Sequence, residues 1–226
     1  LEQILPLYNK HPDNTYLRNS YKWSLIEYGL EMRDNGKLED ALNFLRRAHE
    51  TDKEDLSAVL WYGILLRETG RYKASIDILE YGEGLHDSHY ITSNLIYSYV
   101  EQANRIRSEE PEEAEGLYGK ALLIDSENLT VLLWYGIFLR EQGKYENALE
   151  YLQKADHLYP GNEYLRPNIN HTYYEYGYYC KENGKMEQAV GVYEEAVQEL
   201  PENLYYYYEL FSIYMDIELL EDAEKT

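Results

Sequence analysis

The sequence predicts an all-α protein built from repeated pairs of antiparallel helices. Small residues recur at intervals of 34 to 41 residues, and other residue types keep the same register. The first small column contains Ala41, Ser75, Ala114, Ala148, Ala189 and Ala223, and the second contains Ala48, Gly82, Ala121, Ala155 and Ala196. A single pair of helices cannot bury its own apolar face, so a chain with this period is expected to stack its repeats.

Glycine punctuates the first helix of each predicted pair. Its middle is marked by Gly29, Gly63, Ser98, Gly136 and Gly177, and its end by Gly36, Gly70, Gly143 and Gly184. Glycine adopts positive φ without a steric penalty, which suits the end of a helix. Residues 61–72 are nearly restated in residues 134–145. Proline stands where each of three second helices should stop, at Pro12, Pro160 and Pro201.

These columns resemble the tetratricopeptide repeat family over essentially the whole chain, since 34 residues is the length of that repeat. The resemblance implies a right-handed α-solenoid, a single array of helix-turn-helix repeats. We place full repeats at 22–55, 56–90, 91–128, 129–162 and 170–203. Residues 1–14 are expected to form the second helix of a preceding repeat, and residues 204–226 a partial repeat. Because both ends fall inside a repeat, we expect a fragment of a longer chain.

Two segments depart from the period. Sixteen residues separate Ser98 from Ala114, where twelve separate Gly29 from Ala41, so the third repeat should contain one extra helical turn. Residues 163–169 add seven residues, within which Pro167 is expected to prevent a simple helical continuation. Insertions in repeat arrays often collect on a binding face, and neutral variation of loops is the plainer alternative.

Charge and composition exclude several classes of function. The formal net charge of −21 repels nucleic-acid phosphates and favours basic partners. No stretch approaches the 18 consecutive apolar residues of a membrane span, so we predict none. The single Cys180 excludes an internal disulfide, which together with the missing secretory signal favours a cytoplasmic location.

Catalytic chemistry is not predicted. His86 and His89 form the closest histidine pair, and two imidazoles without a third ligand are better explained as solvated loop residues than as a metal site. Cys180 occupies an apolar helix column and is expected to be buried. We therefore predict no catalytic residue, cofactor or metal.

Tyrosine is in excess, with 27 residues. Many fall in columns where the family fills space between helices, such as Tyr28, Tyr62, Tyr135 and Tyr176. The remaining tyrosines are expected at the surface, where tyrosine is typical of binding sites.

The family resemblance places the first helices along a concave groove. Helical spacing then predicts a partner-binding stripe on their inner side. Its residues are Ile26, Leu30, Arg33, Leu60, Ile64, Arg67, Tyr99, Leu133, Ile137, Arg140, Tyr174, Tyr178, Lys181 and Tyr208. An apolar and increasingly aromatic surface of this kind would suit an amphipathic helix or an extended segment with hydrophobic anchors.

A basic column follows the predicted groove, at Arg33, Arg67, Arg140 and Lys181. Each member is followed directly by an acid, at Asp34, Glu68, Glu141 and Glu182. We expect these charges to pair between neighbouring repeats. The alternative is that the cations face the groove and receive carboxylates of a partner.

The function predicted from these features is a non-catalytic scaffold that binds a peptide or helix of another protein. Two alternatives remain at this point. The array would otherwise be the substrate-recruiting or regulatory arm of an enzyme whose catalytic domain lies outside these residues, as in some family members. It would also serve as a self-assembling scaffold if its open ends stack on one another.

Overall fold

Twelve α-helices follow one another along the part of the chain that the structure describes. This computed structural model describes the backbone of residues 1–224 and the side chains of residues 1–216. The helices are α1 (Ile4–Lys10), α2 (Thr15–Asp34), α3 (Leu38–Thr51), α4 (Leu56–Glu68), α5 (Tyr72–Leu85), α6 (His89–Ile106), α7 (Pro111–Ile124), α8 (Leu129–Glu141), α9 (Tyr145–Leu158), α10 (Leu165–Glu182), α11 (Met186–Glu199) and α12 (Leu204–Glu224). No strand occurs within residues 1–224. The predicted all-α solenoid of helical repeats is confirmed.

The end of the predicted partial repeat lies outside these bounds. Residues 225 and 226 are not among the described residues, and neither is the side chain of Ala223, the last member of the first small column.

Contacts between helices divide the chain into two units, Leu1–Ser126 and Glu127–Thr226. In the first unit, each helix from α1 to α6 packs against the one that follows it. In the second unit the same holds from α8 to α11. Each unit is thus a stack of helical hairpins. The repeat boundaries and the single continuous array remain predictions.

Side chains at the helix starts explain where several first helices begin. The Asn14 side chain accepts a hydrogen bond from the Leu17 backbone N–H at 3.1 Å, and Asp55 accepts one from Ala58 at 2.9 Å. Asn128 does the same for α8. These caps satisfy backbone donors that have no partner within the helix.

Glycine ends the first helices as predicted. Gly70 has φ +74° and Gly143 has φ +71°, a conformation that other residues rarely adopt. At the second of these turns, the Lys144 backbone N–H donates to the Leu139 carbonyl at 2.9 Å, which satisfies one of the last helical acceptors.

The small columns mark where paired helices approach most closely. Every alanine of the two columns whose side chain the structure describes is fully buried. Gly136 in α8 faces α9, and a Cβ atom on it would lie 2.7 Å from Cγ of Leu152. Hydrogen at this position therefore lets the two helices pack without a clash.

Each unit has its own apolar core. That of the first unit contains Leu25, Leu45 and Leu65, and that of the second contains Leu152, Tyr173 and Tyr193. Tyr176 is buried as a space-filling residue. The same prediction is wrong for Tyr28, which is 42% exposed.

Both departures from the period lengthen helices. The extra turn of the third repeat extends α6 to 18 residues, compared with 13 in α4. The later insertion was expected to interrupt the helix, but α10 already begins at Leu165, so Pro167 lies in its first turn. Proline is tolerated there because backbone N–H groups of the first turn have no intrahelical acceptor.

Candidate functional site

The first helices lie side by side in both units. In the first unit α2 contacts α4 and α4 contacts α6, and in the second unit α8 contacts α10. Among the described residues, no comparable contact joins α3 to α5, α5 to α7 or α9 to α11. The first helices of a unit are therefore closer together than its second helices, which places them on the inner side of its curvature. We call their exposed side the first-helix face.

The basic column of the first unit pairs with the next first helix along the chain. Arg33 of α2 forms a two-point contact with Glu68 of α4, with Nε–Oε2 at 2.8 Å and Nη2–Oε1 at 2.9 Å. Arg67 of α4 lies 3.2 Å from the Glu101 carboxylate of α6. These pairs tie neighbouring repeats together.

The same arrangement continues in the second unit. Arg140 of α8 lies 3.5 Å from Glu175 of α10 and donates to the Asn168 side chain at 3.2 Å. Lys181 of α10 pairs with Glu209 of α12. The expected pairing between repeats is confirmed, although only Arg33 uses an acid that directly follows the next basic residue. The alternative of unpaired cations facing a partner is wrong.

Two of the predicted groove residues are core residues instead. Ile26 is 2% exposed and belongs to the core of the first unit. Tyr99 is 4% exposed, and its hydroxyl donates to Glu80 at 2.5 Å. Burial, followed by this hydrogen bond, raises the pKa of Tyr99. Neither side chain is available to a partner, because at these positions the predicted stripe faces the core between the helices and not the solvent.

The other predicted groove residues reach the surface to different degrees. Arg140 is 9% exposed, whereas Tyr174, Tyr178 and Tyr208 are 44%, 52% and 67% exposed. Partly exposed side chains make up the remainder, at Leu30, Arg33, Leu60, Ile64, Arg67, Leu133, Ile137 and Lys181. The accessible part of the stripe is therefore most aromatic in the second unit.

A cavity of about 690 Å³ opens on the first-helix face of the second unit. Four tyrosines line it, Tyr145, Tyr174, Tyr178 and Tyr179, and its charged lining comprises Arg140, Glu141, Glu175 and Glu182. We call it the tyrosine cavity. It brings together three predicted groove residues, Arg140, Tyr174 and Tyr178, within a volume typical of ligand sites.

The rings of the tyrosine cavity are held by contacts with one another. Tyr174 and Tyr178 are nearly parallel, with centroids 6.4 Å apart and an interplanar angle of 9°. Tyr145 lies 5.7 Å from Tyr179. Burial, followed by the negative charge of Glu175, raises the pKa of Tyr145.

Sequence reasoning missed Tyr145, Tyr179 and His171 as lining residues. Tyr145 begins α9, a second helix, whereas the predicted stripe is confined to first helices. The short turn between α8 and α9 could have predicted this position, because it places the first residue of α9 close to the last residues of α8.

The first-helix face of the first unit differs in how its aromatic rings are covered. The Arg33 guanidinium lies over the Trp61 ring at 5.7 Å from its centroid, and Arg67 lies over Tyr97 at 5.6 Å. In the first unit, the arginines of the basic column therefore have two roles. Each forms an ion pair, and each places a cation over an aromatic ring of the same chain.

Two other cavities lie on the second-helix sides. One of about 520 Å³ is bordered by Arg71, which pairs with Glu39 at 2.9 Å. Another, of about 470 Å³, is bordered by Glu146, which accepts a hydrogen bond from Tyr176. In both, prominent polar groups are engaged within the protein.

The histidine pair and the single cysteine considered as reactive groups are hydrogen-bonded or buried in the structure. Within the described part of the chain, no three His, Cys, Asp or Glu side chains converge as metal ligands. His86 hydrogen-bonds the Glu54 carbonyl at 2.7 Å, and His89 approaches the Ser93 hydroxyl at 3.3 Å. Cys180 is buried, and burial raises the pKa of its thiol. None of the described helices combines the length and apolar character that a membrane crossing needs.

The hairpin stack and its inner face define a helical-repeat protein of the interaction-scaffold type. Tetratricopeptide-repeat family models match residues 29–85, 104–163 and 171–202. The chain belongs to the tetratricopeptide repeat family. Its repeats are of a kind that generally serves as a non-catalytic interaction module. No curated protein matches the sequence significantly.

Solved structures show the same fold at low sequence identity. A tetratricopeptide repeat protein from Parabacteroides merdae ATCC 43184 superposes with a TM-score of 0.55 at 18% identity, over 91% of this chain and 78% of the other. The MamA protein has a TM-score of 0.54 at 15% identity, over 80% and 92%. YrrB, a TPR protein with an unusual peptide-binding site, has a TM-score of 0.50 at 15% identity, over 91% and 96%.

Proposed function

We propose that this chain is a non-catalytic scaffold that binds a peptide or helix of a partner protein on its first-helix face. The tyrosine cavity of the second unit is the centre of that site. Ile137, Tyr174, Tyr178 and Tyr208 provide apolar and aromatic contacts, and the corresponding face of the first unit offers Leu30, Leu60 and Ile64.

The exposure of Tyr174 and Tyr178 is the observation that most supports this proposal. Large aromatic side chains are normally buried, and both lie on the inner side of a stacked repeat unit around a cavity. Tyrosine presents a rigid apolar surface with a polar end, so it is common in binding sites. YrrB, which has the same fold, is a TPR protein with a peptide-binding site.

Selection from a random dodecapeptide phage library tests the proposal. Enriched peptides are synthesised and titrated by fluorescence anisotropy against the wild type, Tyr178→Ser and Tyr164→Ser. Tyr164 is a matched control, because it is 59% exposed in the same unit but does not line the cavity.

We expect Tyr178→Ser to weaken binding about tenfold or more and Tyr164→Ser to leave it unchanged. Unchanged circular dichroism and melting temperature establish that both variants are folded. A library that yields no binding peptide, or peptides that bind all three proteins equally, contradicts the proposed site.

A further inference from the structure

We infer that the tyrosine cavity receives an arginine side chain from a basic segment of the partner. This inference rests on the proposed function and specifies the chemistry of its ligand. It follows from three features of the second unit: its charge balance, the internal pairing of Arg140, and two cavity rings, Tyr174 and Tyr178, over which no cation of the described residues lies.

The second unit is strongly acidic. Residues 127–226 contain 19 acidic and seven basic residues, a formal net charge of −12. Three carboxylates line the cavity, those of Glu141, Glu175 and Glu182. The potential around the opening therefore attracts cations and repels acidic segments.

The one guanidinium in the cavity is already engaged. Arg140 is 9% exposed and is held by Glu175 and by the Asn168 side chain. It is therefore poorly placed to receive a carboxylate from outside. Glu182, at the end of α10, forms no ion pair or hydrogen bond with the described residues. Its carboxylate remains available to a guest cation.

Two rings of the first-helix face in the first unit have arginines of the chain above them, and in the cavity Lys185 lies over Tyr179 at 5.0 Å from the ring centroid. Arg33 covers Trp61 and Arg67 covers Tyr97, whereas no described cation lies over Tyr174 or Tyr178. These two rings are 44% and 52% exposed. A guest guanidinium would take on them the place that the chain's own arginines take in the first unit.

Arginine fits this environment better than lysine. Its guanidinium is planar and weakly hydrated, stacks on aromatic rings, and donates paired hydrogen bonds to a carboxylate. Tyr174 and Tyr178 supply near-parallel rings, and Glu182 supplies a carboxylate on the same helix. One arginine of the partner's basic segment would therefore bind in the cavity and determine where the segment attaches.

Citrulline provides the test, because it has nearly the shape of arginine but no charge. Two fluorescein-labelled peptides of alternating leucine and arginine are compared, identical except that the second has citrulline at each arginine position. Binding to the full chain is measured by fluorescence anisotropy at low and high salt. We expect the arginine peptide to bind about tenfold more tightly at low salt and the difference to shrink at high salt.

Matched charge variants distinguish binding in the cavity from attraction by the overall negative charge of the second unit. Glu182→Gln and Glu187→Gln each remove one negative charge from the same unit, but only Glu182 lines the cavity. We expect Glu182→Gln to weaken arginine-peptide binding about fivefold or more and Glu187→Gln to change it less than twofold. Equal effects would overturn the inference in favour of diffuse attraction.

Failure of the inference can be distinguished from failure of the proposed function. If phage-selected peptides lose affinity in Tyr178→Ser but tolerate citrulline in place of arginine, the site binds peptides and the arginine inference is wrong. If an apolar or acidic peptide binds at the cavity more tightly than the arginine peptide, the inference is likewise overturned. If no peptide depends on Tyr178, both fail together.

Discussion

The hydroxyls of Ser75 and Ser98 lie 2.9 Å apart in the core of the first unit, where both side chains are fully buried. Ser75 replaces alanine in one repeat column and Ser98 replaces glycine in another. Ser75 Oγ also lies 2.8 Å from the Gly63 carbonyl, and Ser98 Oγ lies 2.9 Å from that of Asn94. The two hydroxyls have two protons for these three contacts, so at any moment one hydroxyl donates either to its carbonyl or to the other serine across the α5–α6 contact.

This pair should behave as a coupled unit. We expect Ser75→Ala and Ser98→Ala each to lower the free energy of unfolding by about 1 kcal/mol, because each leaves a buried hydroxyl with fewer partners. The double variant should lose less than the sum, by about 0.5 kcal/mol or more. Guanidinium denaturation of the four proteins measures this coupling. Strict additivity would show that the hydroxyls act independently.

Gly177 offers a test of close packing with a built-in control. A Cβ atom at Gly177 would lie 2.2 Å from Cε1 of Tyr193, whereas one at Gly191 would meet nothing within 4 Å. We expect Gly177→Ala to destabilise the protein by about 1–3 kcal/mol, and Gly191→Ala to stabilise α11 by about 0.5–1 kcal/mol. Denaturation midpoints that shift in the same direction would contradict this packing.

Lys22 should link the stability of the first unit to acid pH. Its ammonium lies 2.8 Å from Asp52 and 2.6 Å from Asp55. Burial acts to lower the pKa of Lys22, but the hydrogen bonds to Asp52 and Asp55 and the negative charges of the two carboxylates together outweigh it and raise the pKa. The hydrogen bond from Lys22 is the main cause of the lowered pKa of Asp52.

A carboxyl whose pKa is lowered on folding stabilises the folded state above its ordinary pKa, here 3.8, and loses this effect as the pH falls further. Lys22→Met should therefore cost about 1–3 kcal/mol at pH 7 and less at about pH 3. Denaturation across this pH range measures the difference, with exposed Lys73→Met as the control. A loss that is equal at both pH values would contradict the linkage.

The basic column should contribute according to its burial. Arg33 and Glu68 have side chains 32% and 28% exposed, whereas the Arg140 side chain is 9% exposed. We expect Arg33→Gln to cost less than about 1 kcal/mol, and Arg140→Gln to cost about 1–3 kcal/mol because the Arg140 side chain is itself nearly buried and contributes packing as well as its ion pair. Thermal unfolding of the two variants provides the comparison. A larger loss in Arg33→Gln would contradict this order.

Cys180 should be unreactive in the folded protein. It is fully buried, and burial is the main cause of its raised pKa, so little thiolate is available. Its reaction with Ellman's reagent at pH 8 should be at least about tenfold slower in native buffer than in guanidinium. Rapid native modification would show that the thiol reaches solvent through local opening.

Much of the fold could be predicted because its signals are local or periodic. The glycines that end first helices need positive φ, and the buried alanines repeat wherever paired helices approach. The expectation for residues 163–169 was wrong because proline interrupts a helix only beyond its first turn, and Pro167 is the third residue of α10. In the first turn of α10, its missing N–H is of no consequence.

The candidate site was predicted less completely, because exposure depends on how neighbouring repeats pack. Helical spacing assigned Ile26, Tyr99 and Tyr178 to one stripe, yet the first two are buried and the third is exposed. The sequence also contained no sign that Arg67 would select Glu101, or that Tyr145 would border the cavity beside Tyr178.

Period, composition and backbone preference were sufficient to establish the helical hairpins, where their first helices end, and the acidic character of the surface. The choice of charge partners, the burial of individual tyrosines and the shape of the cavity arose from packing between hairpins. A rotation of part of a helical turn moves a side chain from the core to solvent. Such rotations are set by contacts between residues far apart in the chain, which a repeat pattern does not encode.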